Sequence, residues 1–168
     1  KNEITLELAK KAFDIAITNL SESRQEEGAK MVQVIEKHKK TYEEHYLEIS
    51  KSADMFQKNV EDKLKKRFSE FQSDLGVDEP RFLQEVVYYL EKLDVHEEIN
   101  RIQAHLEKLN KLTSENGEIG RQIDFLIQEL NRETNTIGSK SSLNEISDAV
   151  VQMKVQLEKI REQGLNIE

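Results

Sequence analysis

The chain has 168 residues, 36% hydrophobic and 35% charged, with six glycines, one proline and no cysteine. That length suits one domain, or a helical domain with an extension. The sparse punctuation favours long helices over a β-sandwich or an α/β sheet, and the missing cysteines exclude disulfides, thiolate zinc sites and cysteine nucleophiles while fitting a reducing cytoplasm. A net charge of −8 and a pI near 5.2 argue against non-specific nucleic-acid binding, which rests on Lys and Arg neutralising phosphates.

No apolar run approaches the roughly 18 residues of a membrane span, and no signal peptide opens the chain. It begins at Lys1 rather than Met, which reads as a fragment. In chain order, Ile4 to Leu20 is predicted to be an amphipathic helix, with Ile4, Leu8, Ala12, Ile15 and Leu20 on one stripe and Ser21 or Ser23 capping the next helix. From Arg24 to Phe71 no proline intervenes. Met31, Ile35, His38, Tyr42, Tyr46, Ile49, Ala53, Phe56, Val60, Leu64, Phe68 and Phe71 recur at threes and fours, close to a heptad seam. Unbroken, that helix would be roughly 70 Å long. Ser50, Ser52 and Ala53 form its softest point, where a turn would make a hairpin.

Ser73 to Pro80 is the predicted boundary, dividing an arm (1–72) from a bundle (81–168), and Pro80 suits a helix start. A helix follows over Arg81 to Leu93. Asp94 then reads as an N-cap with Glu97 completing a capping box, before a helix to about Leu112 that buries Ile99, Ile102, Leu106 and Leu109. Asn116-Gly117 is a turn. A helix starts at Gly120, with a loop through Gly138. Ser142 or Asn144 caps a last helix, Glu145 to about Gln163, with Ile146, Val150, Met153, Leu157 and Ile160 inward and Gly164 as its stop. The fold class is therefore all-α: a long helical arm or hairpin plus a bundle of about four shorter helices.

The segment Gly120 to Ser141, GRQIDFLIQELNRETNTIGSKS, departs from its surroundings. At about 100° per residue Arg121, Asp124, Gln128, Asn131, Arg132 and Asn135 share one face, opposite Ile119, Ile123, Leu126, Ile127 and Leu130. Asn131, Thr134, Asn135 and Thr136 are poor helix formers, each costing roughly 0.5 kcal/mol relative to Ala, and such clustered violations are expected where function overrides foldability. Asp124, Glu129 and Glu133 could hold Mg²⁺ or Mn²⁺, hard cations that prefer oxygen, although Asp124 projects well around the helix from the other two. The competing reading is that Glu129 pairs with Arg132 and Glu133 is solvated. Arg121, Arg132 and Lys140 could engage phosphate or pair with neighbouring acids. Asn131, Asn135, Ser139 and Ser141 could bind a sugar or phosphate, or brace adjacent helices.

A second polar group comprises Asp94, Glu97, Glu98, Arg101 and His105. His105 could transfer protons near neutral pH, or it could make a structural hydrogen bond to Glu98 or Arg101. His38 and His45 read as seam or surface residues, and the basic run Lys63 to Arg67 as a solvated face. There is no Ser/His/Asp motif, P-loop or dinucleotide fingerprint.

Arg24 to Gly28 (RQEEG), Asp94 to His105 (DVHEEINRIQAH), Gly120 to Ser141 and the ending REQGLNIE together resemble the C-terminal region of the bacterial YicC/YloC family. The resemblance implies a cytoplasmic, metal-dependent endoribonuclease that assembles as homo-oligomers, hexamers in the intact protein, and is associated with stress. It also implies a further N-terminal α/β region, on the order of a hundred residues, outside this chain. Position by position it points to Arg24 and Glu27, to the Asp94–His105 group, and to the polar residues of the Gly120 helix together with Phe125.

The combined expectation is cleavage of single-stranded RNA, with no membrane or DNA partner. Glu129, Glu133 and Asp124, with Glu97 and Glu98 from a facing helix, would surround Mn²⁺ or Mg²⁺. Arg121, Arg132 and Lys140, with Asn131, Asn135, Arg101 and Arg24, would hold RNA, and His105 would shuttle a proton. The rival from another class is a non-enzymatic adaptor or oligomerisation module acting through the long helix.

Overall fold

The computed structural model describes residues 2–75, 79–114, 119–141 and 144–165. Five helices account for nearly all of them: α1 (Asn2–Leu75), α2 (Glu79–Leu93), α3 (His96–Ser114), α4 (Gly120–Lys140) and α5 (Asn144–Gly164). The expected all-α architecture is what forms. Among the described residues, no helix is long and apolar enough to cross a membrane.

Two expectations about the arm fail. Ser21 and Ser23 do not start a new helix, and Ser50 to Ala53 do not turn; α1 runs unbroken for 74 residues, roughly 110 Å at about 1.5 Å per residue. The reason is local. No Pro lies in this stretch, Ser52 returns its hydroxyl to the Glu48 carbonyl at 2.9 Å, and Ala53 is buried rather than looped out. The helix also carries on through Ser73 to Leu75, into the predicted boundary segment, and α2 begins at Glu79 with Pro80 in its first turn, where a missing N–H costs nothing. Gly76, the predicted Asn116-Gly117 turn and Ser142 lie outside the described residues.

The middle of α1 is a wall of the bundle rather than a detached arm. Ile35, Tyr42, Tyr46, Ile49 and Ala53 are buried with Ile99, Ile102, Leu106 and Leu109 of α3, Ile123, Leu126, Ile127, Leu130 and Ile137 of α4, and Ile146, Val150, Met153, Leu157 and Ile160 of α5. α1 packs chiefly on α5, α5 on α4, and α4 on α3. The α1 seam steps by threes and fours, but its second position is Lys39, which a hydrophobic pattern passes over. Lys39 is buried, reaches Glu36 and Asn110 of α3, and Glu36 in turn accepts the Thr113 hydroxyl at 2.8 Å. A charged seam residue with satisfied donors fixes which turn of α1 faces α3. His38 beside it hydrogen-bonds Gln156 of α5 at 2.8 Å.

Further along, Phe68 of α1 stacks on Phe82 of α2 with ring centroids 4.0 Å apart, so α2 packs back against α1. At the other end, the predicted stripe Ile4, Leu8, Ile15 and Leu20 is exposed, with Ile4 at 65% and Leu20 at 59%.

α4 does not loop at Gly138. It continues to Lys140 because Gly138 is a contact point: a Cβ there would meet Val150 Cγ1 of α5 at 3.0 Å. Gly164 likewise serves close approach, since a Cβ would lie 2.9 Å from Ile123 Cγ2.

Candidate active site between two antiparallel helices

The face where α3 meets α4 is built by the same threes and fours that build the core, with ionisable residues in core positions. Glu133 and Thr134 stand seven residues after Leu126 and Ile127, so the helix turns them inward: Glu133 is 2% exposed and Thr134 fully buried. On α3, Glu98 and His105 flank Ile102 by four and three residues and face the same way. The helices run antiparallel, so Lys140 meets Glu98, Arg101 meets Glu133, and His105 meets Glu129 and Glu133.

The cluster centres on Glu133. Its Oε1 accepts the Arg132 Nε at 3.3 Å and Nη2 at 3.0 Å, and lies 3.6 Å from Arg101 Nη1. Arg132 also holds Glu129 at 2.8 Å, and Arg101 is tied to Glu97 one turn back. A carboxylate this buried is tolerated because two guanidinium groups compensate it. One donor atom from each of His105, Glu129 and Glu133 falls within 4.8 Å of the others. His105 Nδ1 is buried with no hydrogen-bond partner among the described residues. Burial, with Lys108 adding to it, holds the His105 ring below the usual imidazole pKa against the pull of Glu129 and Glu133. At neutral pH it is therefore uncharged, with a nitrogen lone pair available.

Beneath this face α1 supplies a floor. Thr134 donates its hydroxyl to the Leu130 carbonyl at 2.7 Å, and the Tyr42 hydroxyl lies 2.9 Å from Thr134 Oγ1. Tyr46 donates to the Ile99 carbonyl at 3.3 Å. Burial raises the Tyr42 pKa, with nearby Glu133 among the contributors. Thr134 is thus an anchor between α4 and α1. Thr136 and Ser139 return their hydroxyls to carbonyls of α4 itself.

Several residues grouped by the sequence reading lie apart from this cluster. Asp124 turns toward α5, where Arg161 Nε reaches it at 3.1 Å, and Gln128 reaches it at 2.7 Å. Glu98 is buried one to two turns away; its Oε1 takes Lys140 at 2.7 Å, while its Oε2 has no partner among the described residues. Lys140 also donates to the Asp94 carbonyl at 2.9 Å and is held there. Asn131 and Asn135 lie on the exposed side of α4 with their amides 3.5 Å apart, Asn131 bordering a shallow cleft with Lys154 and Arg161. Arg24 lies 11 residues ahead of Ile35, the first residue of α1 buried in the core, roughly 16 Å along the helix.

The capping box also resolves differently. Asp94 Oδ1 accepts the His96 N–H at 2.9 Å and the His96 ring at 2.5 Å, but Glu97 turns to Arg101 instead of reaching back. The Asp94 N–H donates to the Glu91 carbonyl. The His96 N–H bond holds the Asp94 carboxyl below its usual pKa, outweighing partial burial, with the His96 ring and Lys140 adding to it. His96, which carried no role in the sequence reading, thereby orders the entry to α3.

Farther along the groove, Lys108 and Lys111 of α3 and Arg121, Gln122, Phe125 and Leu126 of α4 border an open cleft of about 500 Å³. Lys108, Lys111 and Gln122 were not singled out from sequence. Their signal is spacing: Lys108 lies one turn beyond His105, and Phe125 one turn before Glu129.

The family described as Endoribonuclease YicC-like, C-terminal, matches residues 49–168. The chain is 44% identical over 158 residues to a protein of Clostridioides difficile (strain 630) named "Probable endoribonuclease YicC", covering 94% of this chain and 54% of that protein. It is 32% identical over 157 residues to a protein of the same name from Haemophilus influenzae, again covering 94% of this chain and 54% of the relative. The chain spans about half the length of the curated relatives it matches.

Proposed function

This chain belongs to the YicC-like endoribonuclease family through that family's C-terminal domain, and from this premise we propose that the α3/α4 cluster is the metal centre of an endoribonuclease acting on single-stranded RNA. The observation that carries the reading is the convergence of His105, Glu129 and Glu133 within 4.8 Å, with His105 Nδ1 buried and unpartnered among the described residues. One imidazole and two carboxylates fit a divalent cation, and the nitrogen donor favours Mn²⁺ over Mg²⁺, which prefers all-oxygen shells. Such a cation supplies Lewis-acid stabilisation of charge on a phosphate.

The chain's own residues divide the remaining work. Arg101 and Arg132 are half-exposed guanidinium groups fixed by Glu97, Glu129 and Glu133, so they can present N–H donors to a phosphate without the entropy of ordering free side chains. His105, kept neutral by burial, would offer a ring nitrogen to the cation or, in the alternative, accept a proton from a ribose hydroxyl. Glu98 and Lys140 act as positioning residues, pinning the end of α4 to the start of α3. Asp124 has no part in this centre.

An accompanying reading is that copies of the protein associate through α1. It is supported by the exposed stripe Ile4, Leu8, Ile15 and Leu20, which no other part of the described chain covers. Equilibrium sedimentation giving a clean monomer would count against it.

The deciding assay is cleavage of a fluorescent single-stranded RNA by this chain and by the full-length protein, each with Mn²⁺ and with EDTA. Activity that needs the metal and drops by at least a hundredfold in Glu129→Gln and Glu133→Gln supports the centre. Wild-type cleavage by either variant refutes it. RNA-independent partner binding that ignores EDTA would instead favour a non-enzymatic adaptor.

A further inference from the structure

The open cleft beyond His105 combines three features that the metal centre leaves unused. Lys108, Lys111 and Arg121 border it, and no acidic side chain does so among the described residues. Among those residues none of the three cations has an ion-pair partner, although the chain carries 33 acidic residues against 25 basic ones. Phe125, a large aromatic ring, is 60% exposed at the rim, in a helix whose other phase buries Ile123, Leu126 and Ile127. Leaving that ring in water has no structural return.

The position adds meaning. Phe125 precedes Glu129 by one turn and Lys108 follows His105 by one turn, so the cleft lies roughly 5.4 Å farther along the groove, the order of one nucleotide step. We propose that this cleft seats the nucleotide next to the scissile phosphate, with the base stacked on Phe125 and its flanking phosphates held by Lys108, Lys111 and Arg121. The proposal rests on the endoribonuclease reading above and gives it a physical source of substrate class. A ring standing on a helix surface can stack only on a base whose face is free, so the cleft selects unpaired RNA and discriminates little among the four bases. The cations contribute affinity without sequence information.

The test is binding, kept apart from cleavage. The full-length protein in EDTA is titrated with a 2′-O-methyl RNA strand carrying 2-aminopurine, which blocks both metal-assisted cleavage and attack by a 2′-hydroxyl. Fluorescence anisotropy reports affinity, and 2-aminopurine quenching reports stacking. Phe125→Ala is expected to weaken binding about 5- to 150-fold, the range for losing one base–aromatic stack, and to abolish the quench, while Phe125→Tyr keeps both. Binding of duplex RNA should not change. Replacing Lys108, Lys111 and Arg121 with Gln should flatten the salt dependence by about 0.7 in log–log slope for each phosphate no longer neutralised.

Unchanged affinity and quench in Phe125→Ala overturn the proposal, as does an equal loss for single and double strands or no binding of the strand at all. Because Phe125 is exposed, an unchanged melting temperature verifies that the variant is folded. The metal reading fails separately, through wild-type cleavage by Glu133→Gln, and that result leaves the stacking measurement standing.

Discussion

The contact between Tyr42 and Thr134 offers a stability test whose sign and asymmetry come from proton counting. The Leu130 carbonyl can only accept, so the single Thr134 hydroxyl proton points to it at 2.7 Å. The Tyr42 hydroxyl, 2.9 Å away, must then donate to Thr134 Oγ1. Tyr42→Phe removes that donor and leaves Thr134 with its own proton satisfied, costing roughly 0.5–1.5 kcal/mol. Thr134→Val is nearly the same shape, yet it strands the fully buried Tyr42 hydroxyl, costing roughly 1–3 kcal/mol. In the double variant both sites are apolar and the stranded donor is gone, so the pair should cost less than Thr134→Val alone. For a chain of this size each kcal/mol moves Tm by about 2–4 °C. Urea denaturation followed by far-UV circular dichroism, with m unchanged across the set, gives the three free energies. Strict additivity, or a larger loss in Tyr42→Phe than in Thr134→Val, would show that the proton assignment at the floor of the site is wrong.

Three further outcomes are expected. Mn²⁺ at a hundredfold excess over its Kd should stabilise the folded protein by about 2.7 kcal/mol, a rise of roughly 5–10 °C in calorimetry; an equal rise in Glu133→Gln and His105→Ala would move the metal elsewhere. The folded-state pKa of His105 lies below the usual value of about 6.5, so the unfolded chain takes up the proton first. Stability should therefore be full above that value and fall as pH drops toward the depressed one. His105→Gln should flatten this limb in urea melts at stepped pH, and an unaltered limb would assign it to other groups. Gly164→Ala brings a methyl to 2.9 Å from buried Ile123 and should destabilise by about 1–3 kcal/mol. Gly28→Ala, with nothing within 4 Å, should instead raise helix stability by up to about 1 kcal/mol; matching signs for the two glycines would contradict the packing assigned to α5.

Periodicity read the helices well because each buries one stripe, and a stripe repeating at threes and fours is visible without a structure. It failed at helix ends and breaks, where the deciding facts are contacts between distant segments. Gly138 reads as a breaker until Val150 is seen against it, and Ser21 reads as a cap until the helix is seen to continue. The candidate cluster was legible in part for the same reason. Glu133 stands at a core position of α4, seven residues after Leu126, and His105 stands beside the α3 stripe; an ionisable residue in apolar register is a signal that sequence contains. That Asp124 belongs to Arg161 instead is not in any local pattern, because Arg161 comes from α5, 37 residues later. Phe125 was marked only by family likeness. Its exposure, which gives it a role to test, required the fold.

An acidic chain proposed to act on RNA poses an apparent conflict, and the distribution of charge along the α3/α4 groove offers a resolution. The acids that line the groove are spent internally: Glu97 and Glu133 on Arg101, Glu129 and Glu133 on Arg132, and Glu98 on Lys140. What remains facing solvent at the far end is Lys108, Lys111 and Arg121. Net charge sets the long-range field, which salt screens beyond about 8–10 Å; a phosphate within the groove responds to the cations nearest it. Two consequences distinguish this arrangement from a general polyanion binder. Association with RNA should be slow and strongly selective for strands able to enter the groove, because the outer field of −8 repels the approach. Raising salt should then affect the two rate constants in opposite senses, speeding association by screening the repulsion while weakening the retained complex by screening the cleft. A basic surface patch would show association slowed by salt, and stopped-flow binding at two ionic strengths separates the cases.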